Sequence, residues 1–206
     1  MLLSLRNAAV SLLVLTLLTG ILFPLAITAI ARVAFPHQSS GSLILRNGRI
    51  VGSELIGQAF SKPEYFWGRP STTAPTPYNA AASSGSNLGP SNPALLDAIA
   101  KRVEQLRASD PIAGHPPVDL VTASASGLDP HISPASARFQ AARVASLRGA
   151  SIAQIEECIQ HCTEQEAFGW IGPPRVHVLK LNLELDERFP IASPPDASDR
   201  STSKHP

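Results

Sequence analysis

The sequence predicts an α/β (α+β) domain with a small sheet and about three helices, preceded by one N-terminal transmembrane helix. Three observations support this fold class. Positions 7–31 contain no charged residue, an Asn-Gly pair separates two short runs of β-forming residues, and Asn-Pro and Ser-Pro pairs open two helical patterns. A chain of 206 residues has room for one modest domain and its anchor.

The uncharged run between Arg6 and Arg32 predicts a membrane-spanning helix. A helix rises about 1.5 Å per residue, so this run is long enough to cross a hydrocarbon core of about 30 Å with some tilt. Gly20 and Pro24 should bend the helix without ending it. The alternative is a cleaved signal peptide, because residues 29–31 form an Ala-x-Ala site. The flanking charges leave the orientation open under the positive-inside rule.

The apolar run also divides the chain. We expect a short N-terminus over 1–6, the membrane helix over 7–34, a folded domain over 35–190 and a disordered tail over 191–206, which is polar and rich in Ser and Pro. After Arg32 the chain has 15 basic and 16 acidic residues. This near-neutral balance excludes a broad basic face for nucleic acid.

The first half of the domain predicts a hairpin, a long loop and a helix. Residues 43–51 place Asn-Gly between β-formers, which is typical of a tight hairpin turn. Residues 60–93 are dense in Pro, Gly, Ser and Asn, so little regular structure is expected there, but their aromatic residues favour an ordered, packed loop. Asn92 before Pro93 predicts a capped amphipathic helix. Its core-facing positions should be Leu95, Leu96, Ile99, Val103 and Leu106.

Two further helices are predicted from their caps. Ser133, followed by a proline, should begin a helix that runs to about Leu147 and ends at Gly149. Ser151 and Gln154 form a capping box for the next helix. The buried stripe of that helix is expected at Ile152, Ile155, Ile159 and Cys162.

Two strands complete the prediction. Val118–Thr122 is a short apolar run that suits a strand. Val176–Leu185 alternates leucines with polar residues, and this period of two predicts a strand with one buried face.

The only two cysteines, Cys158 and Cys162, lie four apart in a helical pattern, a spacing that seldom allows a disulfide. We therefore expect two free thiols. Together with His161 they could ligate zinc, but the helical period turns His161 away from the apolar stripe and a fourth ligand would have to come from elsewhere. Ordinary core cysteines and no metal site are the prediction.

Two segments rich in small polar residues, 83–90 and 122–134, precede predicted helices. Glycines and Ser, Asn or Asp side chains make fixed turns, so these segments could serve only as helix caps. They could also form a contact surface for a partner, and the sequence leaves both readings open. The candidate contact residues are Asn87, Gly89, Ser126, Asp129, His131 and Ser133.

Ser126, Asp129 and His131 are the residue types of a nucleophilic site, so a membrane-anchored hydrolase is an alternative. The G-x-S-x-G turn is missing, and we expect no catalytic residue. A peptide- or wall-binding module built on the aromatic loop 60–93 is a further alternative. The sequence contains no G-x-x-x-x-G-K-[ST] loop, so no nucleotide cofactor of its own is expected.

Taken in order behind one membrane helix, these motifs resemble the C-subunit family of Kdp-type potassium-transporting P-type ATPases, from the anchor to about Asp186. The chain departs from the family pattern at Ser84 and Ala125, where glycine is expected, and at His177, where asparagine is expected. The motifs that carry the resemblance are Phe66-Trp67-Gly68-Arg69-Pro70-Ser71, Tyr78-Asn79, residues 85–93, Asp119-Leu120-Val121-Thr122-Ala123-Ser124, residues 126–134 and Pro174-Arg175-Val176.

The resemblance implies a non-catalytic accessory subunit in a bacterial inner membrane, with its large domain extracytoplasmic. Its partners would be a potassium-channel-like subunit and a P-type ATP-hydrolysing subunit, with membrane lipid around the helix. The family's C subunit is described as a catalytic chaperone that raises ATP affinity, and Gln140 would be the nucleotide-linked glutamine, with ATP shared with the ATP-hydrolysing subunit. A domain outside the membrane cannot touch cytoplasmic ATP directly, so assembly, stabilisation or a cap over the potassium entrance is the preferred expectation.

Overall fold

The computed structural model describes residues 2–110, 114–165 and 172–191. The chain divides into two compact units after Glu54. The first unit holds the apolar helix and a hairpin, and the second holds the remaining helices and a small sheet. The tail that the sequence predicts to be disordered lies, from residue 192 onward, outside the described residues.

The N-terminal apolar segment is one long helix, as predicted. It reaches a mean hydropathy of 2.5 and is long and apolar enough to cross a membrane. A π-helical turn contains Gly20, whose carbonyl the ring of Pro24 would crowd in a regular α-helix, and the helix continues through the proline. The segment consists of α1 (Leu2–Leu17), the π turn (Leu18–Leu22) and α2 (Phe23–Ala34).

The predicted hairpin follows a short helix, α3 (Pro36–Ser39). Strand β1 (Leu43–Arg46) pairs antiparallel with β2 (Arg49–Ser53). Asn47 and Gly48 have φ angles of 51° and 73°, the left-handed conformation that a two-residue hairpin turn requires at both positions. The Asn-Gly signal is confirmed.

The second unit packs helices around a three-stranded antiparallel sheet of order β3-β5-β4. Its core is one cluster to which α6, α7 and α8 contribute most of the buried residues. The elements are α4 (Pro93–Ser109), α5 (Val118–Val121), β3 (His131–Ile132), α6 (Pro134–Arg148), α7 (Ile152–His161), β4 (Thr163–Glu164), β5 (Arg175–His177) and α8 (Val178–Arg188).

The helix starts and stops follow the predicted caps. Asn92 accepts a hydrogen bond from the backbone N–H of Ala94 at the start of α4. Ser133 accepts from the Ser136 N–H at the start of α6, and Gly149 ends that helix with a φ of 63°. The capping box of Ser151 opens α7 as predicted.

The predicted strand over Val176–Leu185 is wrong beyond His177, because α8 begins at Val178. The leucines do alternate, but the buried residues include positions 178, 181, 182 and 185, which share one helical face. Asn182, assigned to the solvent side by the period of two, lies on the buried face and is 1% exposed. Its hydrogen bonds to a distant loop, described below, explain this placement.

Three smaller predictions are corrected. Val118–Thr122 forms the single helical turn α5 and not a strand, since Leu120 N–H bonds to the Pro117 carbonyl and Thr122 N–H to the Val118 carbonyl. In α7, Ile152 is 56% exposed and Cys158, rather than Cys162, lies fully inside.

The predicted core face of α4 is buried only at its C-terminal end. Leu106 is fully buried, whereas Leu96 is 54% exposed. The other three positions of that face, Leu95, Ile99 and Val103, are half-buried. One side of this helix therefore borders a groove and not the core.

Candidate functional site

The predicted aromatic loop, which ends at Asn92 because α4 begins at Pro93, is held in place by two buried carboxamides from different helices. Asn182 of α8 accepts the Phe66 N–H at 2.9 Å and donates to the Phe66 carbonyl at 3.0 Å. Gln140 of α6 accepts the Trp67 N–H at 2.8 Å and donates to the Trp67 carbonyl at 3.1 Å. Each amide thus satisfies both backbone groups of one loop residue, as a neighbouring strand would.

A buried ion pair adds to this hold on the loop. The Arg143 Nε donates to both carboxylate oxygens of Asp110, at 3.1 and 3.0 Å, and the Arg143 Nη atoms donate to the carbonyls of Pro63 and Tyr65 and to Gln140. Its guanidinium also lies 4.4 Å from the centre of the Trp67 ring. Burial raises the pKa of Asp110, and the charge of Arg143 offsets part of that rise.

The two polar segments that the sequence analysis singled out lie against each other. The Ser84 N–H donates to the Ser126 carbonyl at 3.0 Å, and the Ser83 hydroxyl donates to the same carbonyl at 3.1 Å. A Cβ on Gly85 would lie 2.6 Å from the Ala125 carbonyl oxygen, so the backbones meet at a distance that only glycine permits. The segments therefore form one surface, although they are about forty positions apart in the sequence.

Tyr78 fastens the start of this surface. Its hydroxyl donates to the Arg69 carbonyl at 2.6 Å. The ring occupies the space that a side chain on Gly57 would need, and the hydroxyl oxygen does the same at Gly68. Burial raises the pKa of Tyr78 to about 12, so the phenol stays protonated and keeps donating.

Asp129 and His131 lie in a row of polar side chains that also includes Arg69 and Glu164. Asp129 contacts the guanidinium of Arg69 at 3.2 Å and the Nδ1 of His131 at 3.4 Å, and it accepts the His131 N–H at 3.0 Å. The Nε2 of His131 lies 3.5 Å from Glu164, which also pairs with Arg175. Burial acts to raise the pKa values of Asp129 and Glu164, but hydrogen bonds and the neighbouring cations outweigh it and lower both.

Ser133 works as a helix cap. Its backbone N–H donates to Asp119 at 2.7 Å and its hydroxyl donates to the same carboxylate at 3.3 Å, while the hydroxyl oxygen accepts the Ser136 N–H. These contacts fix the turn between β3 and α6 and bear out the capping reading for this residue.

The geometry does not assemble the hydrolase that the residue types allowed. The Ser126 hydroxyl accepts the Leu128 N–H within its own turn. Both ring nitrogens of His131 face carboxylates, and no hydrogen bond joins His131 to Ser126 in the described part of the chain. Without a base beside it, Ser126 has no activation as a nucleophile.

Asn87 and Gly89 stand on the solvent side of the surface. Residues 81–91 are exposed except for Gly85, and Leu88 within them is 37% exposed. A Cβ on Gly89 would meet nothing within 4 Å. We refer to residues 81–91 together with 125–126 as the exposed polar ridge.

Two concave regions adjoin these segments. A groove of about 480 Å³ runs along α4, where Leu95, Lys101 and Arg102 face Arg69 and Tyr78. A second pocket of about 640 Å³ is lined by Asp119, Asp129, His131, Ser133 and Arg175, among others. All six candidate contact residues thus either line the second pocket or lie on the exposed polar ridge.

Comparison with known proteins decides the family. A family model described as KdpC, K+-transporting ATPase, c chain, matches residues 5–187. The chain belongs to the KdpC family. Similar relatives carry the description "Potassium-transporting ATPase KdpC subunit". That of Polaromonas naphthalenivorans is 60% identical over 191 residues, covering 92% of this chain and 97% of the relative. That of Sorangium cellulosum is 59% identical over 187 residues, covering 90% and 98%.

Gln140, the residue that the resemblance to KdpC links to nucleotide, is fully buried. Its oxygen accepts from Trp67 and Arg143, and its nitrogen donates to the carbonyls of Trp67 and Ser136. The structure therefore gives this amide a loop-holding role, and its contact with ATP stays a prediction.

Sequence reasoning missed several residues that shape this KdpC domain. Asn182 was placed on an exposed strand face, and Arg143 and Asp110 carried no signal. Their partners lie far along the chain, with Asn182 separated from Phe66 by 116 positions. The Phe-Trp pair of the family motif was the available clue, since a buried aromatic loop must have its backbone groups satisfied by something.

Proposed function

We propose that this chain is a non-catalytic accessory subunit of a high-affinity, ATP-driven potassium uptake complex. The single observation that carries the proposal is membership of the KdpC family over residues 5–187. The long apolar helix supports a permanent anchor in a bacterial inner membrane. The potassium-channel-like subunit and the P-type ATP-hydrolysing subunit are the proposed partners, and the folded domain is proposed to lie on the extracytoplasmic side.

The exposed polar ridge is the proposed contact surface for these partners. Hydrogen bonds from Ser83 and Ser84 to Ser126 join its two segments, and the Thr72 hydroxyl donates to the Ser84 carbonyl. Residues 87–89 are exposed to solvent. A preorganised, exposed loop loses little conformational freedom when a partner binds, which favours affinity. We propose that this contact assembles and stabilises the complex.

Gly89→Arg tests the contact surface. Gly89 is not in the left-handed conformation, and a Cβ placed on it would have no atom within 4 Å. An arginine there should therefore leave the domain folded while blocking a partner. We expect the partner subunits to be lost from a pull-down of solubilised membranes and potassium-limited growth to fail. Ala153→Arg, at an exposed position of α7, is the matched control and should retain both. Normal assembly with Gly89→Arg would reject the ridge as the contact, and normal uptake without the whole chain would reject the function.

The proposed side of the membrane can be measured with a cysteine at Ala153, an exposed position of α7 outside the proposed contact surface. Ala153→Cys in intact cells should react with a maleimide that cannot cross the membrane, because the folded domain would face outward. Cys158 is buried, and Cys162→Ala removes the remaining half-buried thiol as background. Labelling that needs lysed cells would place the domain in the cytoplasm.

The family resemblance further implies that the subunit raises the ATP affinity of the ATP-hydrolysing subunit. Gln140→Leu and Asn182→Leu distinguish a direct role from an indirect one, since both amides hold the same loop. A KM for ATP that rises only with Gln140→Leu would favour direct contact with nucleotide. Equal rises with both variants would show that the effect passes through the loop, and no rise with either would remove the role.

A further inference from the structure

A second cluster of chemically active side chains lies at the C-terminal end of α7 and includes no residue of the exposed polar ridge. His161, Cys162 and Glu184 each offer one ligand atom, and these three atoms lie within 4.8 Å of one another. The His161 Nδ1 is 2.8 Å from one oxygen of Glu184, and the Cys162 Sγ is 3.0 Å from the same oxygen. Imidazole, thiolate and carboxylate are the ligand types that zinc prefers.

We propose that His161, Cys162 and Glu184 form a binding site for a borderline-soft divalent metal ion of the zinc class. Three protein ligands leave a fourth, tetrahedral position open to water. The mixed nitrogen, sulfur and oxygen set distinguishes this ion from potassium and magnesium, which prefer oxygen ligands alone.

The geometry suits such an ion with small adjustments. At zinc bond lengths, ligand atoms of a tetrahedral site stand about 3.3 to 3.6 Å apart, so the observed separations from Glu184 need to widen by about half an ångström. Side-chain rotations supply this, because His161 is 77% exposed and can move freely. The Cys162 thiol proton leaves to solvent when the sulfur binds as thiolate.

The surroundings of Glu184 orient it for this role. Its second carboxylate oxygen accepts from Arg188 at 3.1 Å, which leaves the oxygen facing His161 and Cys162 free to act as a ligand. Arg188 is itself held by Glu157 at 2.7 Å and donates to the Cys158 sulfur at 3.4 Å. Outer partners of this kind fix a ligand in its binding orientation.

The site also joins two elements. His161 ends α7 and Glu184 lies in the middle of α8, so a bound ion would tie these neighbouring helices at the surface. An ion that binds only the folded chain raises its apparent stability. Metal binding and thermal stability are therefore two independent measurements of one event.

The test uses the full chain in detergent, purified without a polyhistidine tag and titrated with Co²⁺. We expect one Co²⁺ per chain with a sulfur-to-metal charge-transfer band, displacement by Zn²⁺ but not by K⁺ or Mg²⁺, and a Zn²⁺-dependent rise in Tm. Cys162→Ser should abolish the charge-transfer band. Glu184→Gln should weaken Zn²⁺ binding at least as much as loss of an outer partner does, which is about 10- to 100-fold.

Glu157→Gln is the matched control, because the glutamine oxygen can still accept from Arg188 and the change touches no proposed ligand. It should keep the Co²⁺ band and the Zn²⁺ affinity. If Cys162→Ser fails to fold, His161→Ala decides the matter, since that side chain is exposed and its removal spares the core. An unchanged Zn²⁺ affinity in His161→Ala, a band that survives Cys162→Ser, or equal losses in Glu157→Gln and Glu184→Gln would overturn the proposal.

Discussion

The backbone groups of Phe66 are buried in a segment that has no neighbouring strand. Asn182 satisfies both of them, and Gln140 does the same for the next residue. A buried backbone group left without a partner costs about 1–3 kcal/mol, so these two side chains contribute more to stability than their size suggests. At this scale, stability and loop shape depend on the same atoms.

Asn182→Leu should therefore destabilise the domain more than its loss of volume suggests. Leucine fills a similar space but leaves the Phe66 N–H and carbonyl unpaired inside the protein, and we expect the free energy of unfolding to fall by about 3 kcal/mol. The measurement is the Tm of the purified full chain in detergent, followed by near-ultraviolet circular dichroism. Gln160→Leu, which removes an exposed carboxamide from α7, should change stability by less than about 0.5 kcal/mol. Equal Tm values for the two variants would contradict this role.

Residues that act locally could be identified from the sequence, and residues that act at a distance could not. The caps Asn92, Ser133 and Ser151 bond within three positions of themselves, so their chemistry is visible in a short window. Glu184 contacts His161 only because α8 lies beside α7. The sequence predicts a strand at Glu184, and a strand there does not imply this contact. Family resemblance supplied the loop motifs but no partners for them.

Elements behave in the same way. The hairpin, α6 and α7 were predictable because turn chemistry, caps and burial agree over each of them. In α8 the alternating leucines favoured a strand, while the residues between them are Lys, Asn and Glu, which a helix accepts equally well. Tertiary contact decided the outcome, because only a helix places Val178, Leu181 and Leu185 on one side with Asn182.

Ser133→Ala tests whether α6 depends on its cap. The variant loses the bond from the Ser136 N–H and the bond to Asp119, and we expect a loss of about 1 kcal/mol in the free energy of unfolding. Urea denaturation of the full chain in detergent measures it. Ser61→Ala, at an exposed loop position, provides the comparison and should leave the midpoint in place. A cap that contributes nothing would give two superimposable curves.

In the second unit, three carboxylates hold elements together through arginine, histidine and cysteine side chains. Asp129 links the aromatic loop to β3, Glu164 reaches from β4 to His131, and Glu184 joins α8 to α7. Burial opposes ionisation of all three, but their hydrogen bonds and cations lower each pKa below its usual value. Their ionised forms are therefore favoured by folding.

These pKa shifts predict that the stability of the domain decreases at acid pH, which we call the acid limb. A carboxyl group whose pKa is lower in the folded than in the unfolded chain stabilises the fold at a pH above its unfolded pKa, which is 3.8 for Asp and 4.5 for Glu. That stabilisation is lost as the pH falls through the folded pKa. The Tm should be level from about pH 7 to pH 5 and fall below the unfolded values. Burial raises the pKa of Asp110, so this residue destabilises the fold as pH rises and makes the fall of the Tm at acid pH less steep.

Glu164→Gln isolates one contribution, since it cannot ionise. Its Tm should be lower than that of the parent near pH 7 and should fall less steeply toward pH 3. Exposed Glu104→Gln is the control and should keep the parent's slope. Parallel curves for the parent and Glu164→Gln would show that this carboxylate has no part in the acid limb.

The sequence separation between the aromatic loop and its two amide partners determines when the loop can fold during synthesis. Asn182, the partner of Phe66, is made 116 residues later, and Gln140, the partner of Trp67, is made 73 residues later. While the ribosome is still translating, the aromatic segment has already emerged, but its native partners do not yet exist. The apolar helix can enter the bilayer from the nascent chain early, whereas the loop can reach its final structure only after Asn182 has left the ribosome.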